Sequence, residues 1–298
     1  AINRGHLALY LGVSTIWGCT WFFILKVVQA FGGGGVALRA ILGGLVLLAT
    51  ARAMGKRLQF GSWRPITVVA ATTVAVQLMG FNLATPLVGT QVSSILASTI
   101  PMASMTIGRA WGMERITPVG YMGLGLGIFG VVLVVGFPTV TINATFIMGS
   151  AFCIAGAIGA AYGGNFAKRH LSGVGYWEQT IGSFLVGGTL MLPLFLIDPP
   201  NHPPMLIDYG YLAVLSIVST GLGYVMFFKL VSDIGATRAL TVEFLVTAIA
   251  VVVGALFLGE RLSGAQCVGV LVIETGCMLV LDLAPRRRDR AAMVGAEG

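Results

Sequence analysis

Residues 113–130 read MERITPVGYMGLGLGIFG, and residues 259–276 read GERLSGAQCVGVLVIETG. A shift of 146 positions lays Glu260 on Glu114, Arg261 on Arg115, Ser263 on Thr117, Gly269 on Gly123 and Gly276 on Gly130. The same register brings Gly235 onto Gly89 and Val280 onto Val134, so one offset serves seven pairs. The chain therefore reads as a duplicated unit, and the fold has to be one that a duplication can build.

The composition says which kind. Of 298 residues, 56% are AVILMFWYC and only 10% are charged, where soluble proteins carry roughly 25% charged residues; the mean hydropathy is +0.91. A membrane-spanning helix needs about 20 mostly apolar residues. Such runs occupy 7–30, 36–54, 65–86, 88–108, 117–136, 146–167, 176–197, 209–231, 238–258 and 264–283. Barrel strands would alternate apolar and polar residues over about ten positions, and these runs do not. The expected fold is an all-α integral membrane protein with ten transmembrane helices. Its first repeat covers 1–140, its second 141–285, and a basic tail 286–298 follows. Five spans per repeat is an odd number, so the second copy lies upside down relative to the first.

Charge sets the expected orientation. With the first span starting inside, all but three of the 18 Lys+Arg fall on one side, and only Lys26, Arg39 and Arg261 fall on the other. By the positive-inside rule both termini are cytoplasmic. Arg261 breaks the rule because it copies Arg115 in an inverted repeat. Arg286–Arg290 read as the flank that stops the last span, with an anionic-lipid patch as the alternative. The first span carries Trp17, Trp21 and Lys26 and no small-residue cleavage pattern, so it is expected to remain in the mature protein. The basic residues are dispersed among short loops, which excludes a nucleic-acid face.

Other chemistries find little support. Cys19, Cys153, Cys267 and Cys277 are isolated, with no C-x-x-C pair to suggest a disulfide framework or zinc site. Gly125–Gly130 satisfies G-x-G-x-x-G, but that fingerprint needs a preceding strand and a following acidic ribose ligand, and neither is present. Without a G-x-x-x-x-G-K-[ST] the chain does not hydrolyse ATP. An intramembrane enzyme acting on lipid-linked substrates would want a convergent polar constellation, yet His6, His170 and His202 fall in the tail and loops. Asn143-Ala144-Thr145 matches a glycosylation sequon by chance.

Inverted repeats are a recurring plan of secondary transporters, with the substrate site near the midplane between them. Several spaced motifs also resemble a known family: Trp17-Gly18 in the first span, Pro101 in the fourth, the Gly259-Glu260-Arg261 turn with Met113-Glu114-Arg115 as its first copy, and the glycine-studded fifth and tenth spans. They are similar to EamA-type carriers of the drug/metabolite transporter superfamily, and overall the chain resembles the bacterial YddG-type exporters of aromatic and other amino acids. The resemblance implies alternating access in a bacterial-type inner membrane. It implies small amphipathic substrates such as amino acids. Because the chain lacks a P-loop, a proton or the substrate gradient is the expected driving force, and no cofactor or metal is expected. Other drug or metabolite cargo is the alternative.

The same resemblance places Trp17, Trp21, Phe22, Gln77, Asn82, Ser94, Tyr162, Asn165, Tyr224 and Phe227 on helices around the cavity. Apolar walls with a few polar groups suit an amphipathic solute, although aromatics are equally enriched as interface anchors. Asn82 and Asn165 need a protein, water or ligand partner, because an amide facing lipid is unsatisfied. Glu243 and Glu274 lie inside spans, where a carboxylate is costly and marks function by default. Glu243 replaces the Ala97 of the first copy in a cavity-lining helix, whereas Glu274 belongs to a helix that the family packs behind the cavity. Lys26, Arg39 and Lys168 read as snorkelling anchors, with attraction of substrate carboxylates as the second reading. Pro86, Pro101 and Pro193 mark bends.

Overall fold

The computed structural model describes residues 4–113, 117–136, 142–200, 203–234 and 242–280. Glu114, Arg115, His202, Gly235, Arg238, Asp282 and Arg286–Arg290 lie outside the described residues. Within them all regular structure is helical. Helices α1 (Arg4–Phe31) and α2 (Gly34–Ala53) are continuous. α3 (Trp63–Val69), a π-helical segment (Ala70–Val76) and α4 (Gln77–Val88) form one rod. α5 (Thr90–Ala97) and α6 (Ile100–Ala110) follow, then α7 (Pro118–Gly136) and α8 (Ala144–His170). α9 (Tyr176–Leu190) turns into α10 (Leu194–Ile197). α11 (Leu206–Ala213), a second π segment (Val214–Leu222) and α12 (Gly223–Ile234) make another rod, and α13 (Val242–Leu258) and α14 (Gly264–Val280) complete the described chain.

Six of these helices or rods are long and apolar enough to cross a membrane: Gly5–Phe31, Gly34–Ala53, Trp63–Val88, Ala144–His170, Tyr176–Ile197 and Leu206–Phe227. Pro118–Val134, Leu245–Leu258 and Gly264–Leu279 are shorter apolar helices. Large apolar side chains such as Phe257 and Leu271 face outward, 71% and 68% exposed. A surface of that kind belongs in lipid rather than water.

The run 88–108, expected as one helix, is two. Gly89 turns the chain at φ 85°, a conformation with a steric cost for any residue carrying a Cβ, and a second break falls at Ser98-Thr99. Pro101 has no N–H for the Ala97 carbonyl, so the helix restarts at Ile100. The Ser98 and Thr99 hydroxyls turn back onto the carbonyls of Ile95 and Leu96, each at 2.7 Å.

Without a hydrophobic force between helices in lipid, close packing depends on small residues. α7 and α14 meet through glycine: a Cβ on Gly130 would lie 2.8 Å from the Gly269 carbonyl oxygen, and one on Gly276 would lie 2.6 Å from that of Gly123. These two contacts exchange with each other under the 146-residue shift. α8 packs on the rod of α3 and α4 in the same way, with Gly156 against the Gln77 carbonyl and Gly159 against that of Thr72. The other principal pairings are α1 with α13, α8 with α6, α2 with α9, and α1 with the α11–α12 rod. The main apolar core, with Trp21, Ile24, Phe81, Ile95 and Leu96, fills the space between α1, α4 and α5.

Candidate functional site

The site begins with a defect in a helix. Between Val214 and Leu222 the rod winds as a π-helix, and the Gly223 N–H reaches back to the Val218 carbonyl, five residues away instead of four. Such widened turns occur frequently at functional sites. The Ser219 carbonyl accepts a hydrogen bond from Trp17 Nε1 at 3.1 Å. Gly223 makes room for that indole, since a Cβ there would stand 2.6 Å from Nε1. Trp17 lies at the middle of α1, and Ser219 and Thr220 lie at the middle of the Leu206–Ile234 rod.

Around the indole stands a set of rings. Trp17 is 5.4 Å from Tyr224 and 5.0 Å from Phe227, and Tyr224 is 5.2 Å from Phe184 of α9. One turn along α1, Trp21 packs on Phe81 at 5.4 Å. Phe22 points to a different face, among Phe23, Tyr211 and Phe257.

Charged groups approach the rings from two sides. Arg39 on α2 is only 7% exposed, and its Nε donates to Thr220 Oγ1 at 3.5 Å. This differs from the expected snorkelling anchor: Arg39 is on the inner face of α2, where close contact of Gly43 with Thr220 encloses it, rather than on a face from which it could reach the interface. Lys26 instead lies over the Phe22 ring, 5.7 Å from its centre. Glu243 is in the first turn of α13 and half-buried. The Tyr224 hydroxyl lies within electrostatic reach of both Arg39 and Glu243.

Glu274 is the residue that sequence reasoning undervalued. It extends from α14 toward Ser98 at the α5–α6 break and Thr247 of α13, within electrostatic reach of Glu243. The two hydroxyls donate elsewhere, Ser98 to the Ile95 carbonyl and Thr247 to that of Glu243. Both carboxyl oxygens of Glu274 are buried without a hydrogen-bond partner. Proximity to a helix break 176 positions earlier leaves no local trace in the sequence. Phe184 was missed for the same reason.

The remaining candidates lie apart from the ring cluster. Asn82 is fully buried; its Nδ2 donates to the Leu78 carbonyl at 2.6 Å, and its Oδ1 has no partner. Ser94 returns its hydroxyl to the Gln91 carbonyl at 2.8 Å. Gln77 is half-buried at the α4–α8 contact. Asn165 joins α8 to α6, its Nδ2 donating to the Ser104 carbonyl at 3.0 Å and lying 2.9 Å from Ser104 Oγ. Tyr162, 37% exposed, belongs to a second aromatic group with Trp111 and Phe166.

At the end of the bundle where Gly89 turns, a clamp joins the two halves of the chain. The Glu260 carboxylate accepts the backbone N–H groups of Thr90 at 2.7 Å and Gln91 at 2.9 Å, together with the Thr90 hydroxyl at 3.0 Å. Gln91 returns a bond from Nε2 to the Val251 carbonyl at 2.8 Å. A carboxylate placed on the orphan N–H groups at a helix start is favoured both by hydrogen bonding and by the helix dipole. Nearby, a cavity of about 450 Å³ is lined by Val28, Gln29, Leu83, Pro86 and Asp198 among others. It does not include Trp17, Arg39, Tyr224 or Glu243.

A glycine-packed helical bundle with charged and aromatic groups at its centre agrees with what comparison finds. The model of the EamA-like transporter family matches residues 4–136 and again residues 147–282. The chain belongs to the EamA-like transporter family. This EamA-like chain is 25% identical over 275 residues to protein PecM of Dickeya dadantii, covering 90% of each. It is 22% identical over 279 residues to the uncharacterized inner membrane transporter YedA of Escherichia coli, covering 92% of this chain and 88% of YedA. To the uncharacterized transporter YoaV of Bacillus subtilis it is 21% identical, covering 93% and 97%. One crystal structure shares the fold with a TM-score of 0.69 at 17% identity, covering 95% of this EamA-like chain and 98% of the other. The chain is thus a membrane transporter of the drug/metabolite type, acting on a small molecule within the lipid bilayer.

Proposed function

We propose that the protein is a secondary carrier exporting small amphipathic metabolites, amino acids including aromatic ones, across a bacterial-type inner membrane, in the manner of YddG-type exporters. The observation that carries this reading is the meeting of Trp17, Phe184, Tyr224 and Phe227 beside the enclosed Arg39 at mid-bundle, with Glu243 of the first turn of α13 within electrostatic reach of Tyr224. Rings supply an apolar wall, and a few polar groups orient a solute against it. Charged residues inside a membrane bundle mark the paths of substrates and ions.

Alternating access needs two states of similar energy. Ten helices arranged as five plus five inverted, with both termini cytoplasmic, provide them when the repeats exchange conformations. Three observations support the arrangement: the family model matches twice, the Gly130–Gly269 and Gly123–Gly276 contacts exchange under the repeat shift, and the π segments 70–76 and 214–222 overlap at that shift. The Glu260 clamp then closes the outer side, and its release from Thr90 and Gln91 opens it. A proton or the substrate gradient drives the cycle, with Glu243 and Glu274 as the groups that would take the proton.

Counterflow in proteoliposomes with a labelled amino-acid panel, with and without a pH gradient, tests this. Saturable exchange by the purified protein is expected. No exchange with any amino acid, on either side of the gradient, would discard the reading.

A further inference from the structure

Arg39 is the sixth residue of α2, and its side chain is enclosed between α2 and the second π segment. One turn further on, a Cβ at Gly43 would fall 2.5 Å from Thr220 Cγ2, so the Thr220 side chain lies directly on the α2 backbone beside it. A guanidinium has five N–H donors in a fixed plane. Among the described residues it makes one hydrogen bond, the long one from Nε to Thr220 Oγ1 at 3.5 Å, and it pairs with no carboxylate. Thr220 is itself turned inward, its hydroxyl donating to the Leu215 carbonyl at 3.2 Å. A cation this deep and this poorly matched is expensive in a membrane unless something completes it. An arginine kept only for packing or anchoring would reach carbonyls or a carboxylate, and among the described residues Arg39 reaches neither.

What faces it narrows the choice. Tyr224 of α12 is the titratable neighbour of Arg39, and Glu243 reaches that same tyrosine from α13. Glu274 of α14 lies within electrostatic reach of Glu243. A cation and an anion from different helices therefore both lie within electrostatic reach of one hydroxyl, on a ring that packs against Trp17 and Phe184, with Phe227 as a further contact of Trp17. The complement of that surface is a solute with an anionic end, a cationic end and an apolar body.

We infer that Arg39 is the anchor for the substrate's carboxylate, binding it in the planar two-pronged manner of a guanidinium. The inference rests on the amino-acid carrier reading above and names the residue that holds the substrate's carboxylate. The carboxylate fills the unmatched donors of Arg39, the ammonium faces Glu243, and the side chain lies on the rings.

The test is counterflow of radiolabelled L-phenylalanine into proteoliposomes of the full-length protein, with two competitors. 3-Phenylpropionate keeps the carboxylate and lacks the amine; phenethylamine keeps the amine and lacks the carboxylate. On the wild-type protein 3-phenylpropionate is expected to compete well and phenethylamine poorly. Arg39→Gln is expected to lower apparent affinity for L-phenylalanine by about 30-fold or more and to erase the preference between competitors. Arg39→Lys, which keeps charge without the planar fork, is expected to restore part of both. Exchange of L-phenylalanine with phenethylamine competing as well as 3-phenylpropionate would leave a carrier standing and overturn the anchor, with no variant needed. Retention of the carboxylate preference by a folded Arg39→Gln protein would overturn it as well. Exchange of none of the three compounds by the wild-type protein would overturn the aromatic amino-acid reading and the anchor with it.

Discussion

Glu260 Oε1 accepts the backbone N–H of Thr90 at 2.7 Å, across 170 positions of sequence. The turn after α13 thereby caps the helix that starts after Gly89. Glu260→Ala leaves the Thr90 and Gln91 N–H groups without their acceptor, and hydrogen bonds to a charged group contribute roughly 1.5–3 kcal/mol. The thermal midpoint of the purified protein should fall, and Glu260→Gln, which keeps one acceptor oxygen, should fall less. An unchanged midpoint in Glu260→Ala would show that the clamp contributes nothing to the folded state.

The glycines of α7 are not equivalent. Gly130 abuts the Gly269 carbonyl, whereas a Cβ at Gly125 would meet nothing within 4 Å. Overpacking a tight contact costs about 1–3 kcal/mol. Gly130→Val should destabilise the protein by this order and Gly125→Ala should not. Equal melting behaviour of the two variants would contradict the packing described.

Trp17→Phe keeps a ring beside Tyr224 and Phe227 but removes the Nε1–H that reaches Ser219. The loss should be about 1 kcal/mol, the net value of one hydrogen bond, together with a raised half-saturation for substrate in counterflow. Wild-type transport and melting in this variant would separate the indole from the site.

Glu243→Gln fixes the side chain in a form that cannot release a proton. If that proton takes part in the cycle, the transport rate of the variant should vary less than wild type from mildly acid to mildly alkaline pH, with melting preserved. Two superimposable pH profiles would remove Glu243 from coupling.

Glu274→Met replaces two buried oxygens lacking hydrogen-bond donors by an apolar side chain of similar length. Removing unsatisfied polar groups is neutral or stabilising for the fold, so the midpoint should hold or rise while transport falls. A midpoint that drops, with transport intact, would assign Glu274 a purely structural role.

Much of this was readable before any coordinates. Apolar run length and the scarcity of charge fix a helical membrane protein, because unsatisfied backbone groups cannot stand in lipid. The 146-residue register is a property of the letters themselves, and it picked out Glu260, Gly130 and Gly276 before their contacts were visible. Trp17, Tyr224, Phe227 and Glu243 were on the candidate list because of a family resemblance and the cost of an intramembrane carboxylate.

Other features required the third dimension. The sequence of α2 shows an arginine near a helix end, and length from the end suggests snorkelling; only the packing of Gly43 on Thr220 reveals an enclosed guanidinium. Glu274 reads as a residue behind the bundle until the α5–α6 break is seen beside it. Phe184 carries no mark that separates it from other phenylalanines in apolar runs. The π turn that accompanies the Trp17 contact arises from how the rod packs, and its residues have no local signature. Composition and repeat register are additive properties of the chain, so the sequence by itself determined the helical membrane class and the 146-residue register. Which charges are paired, and which are enclosed with few partners, depends on distances between helices far apart in the chain, and only the tertiary structure decided that.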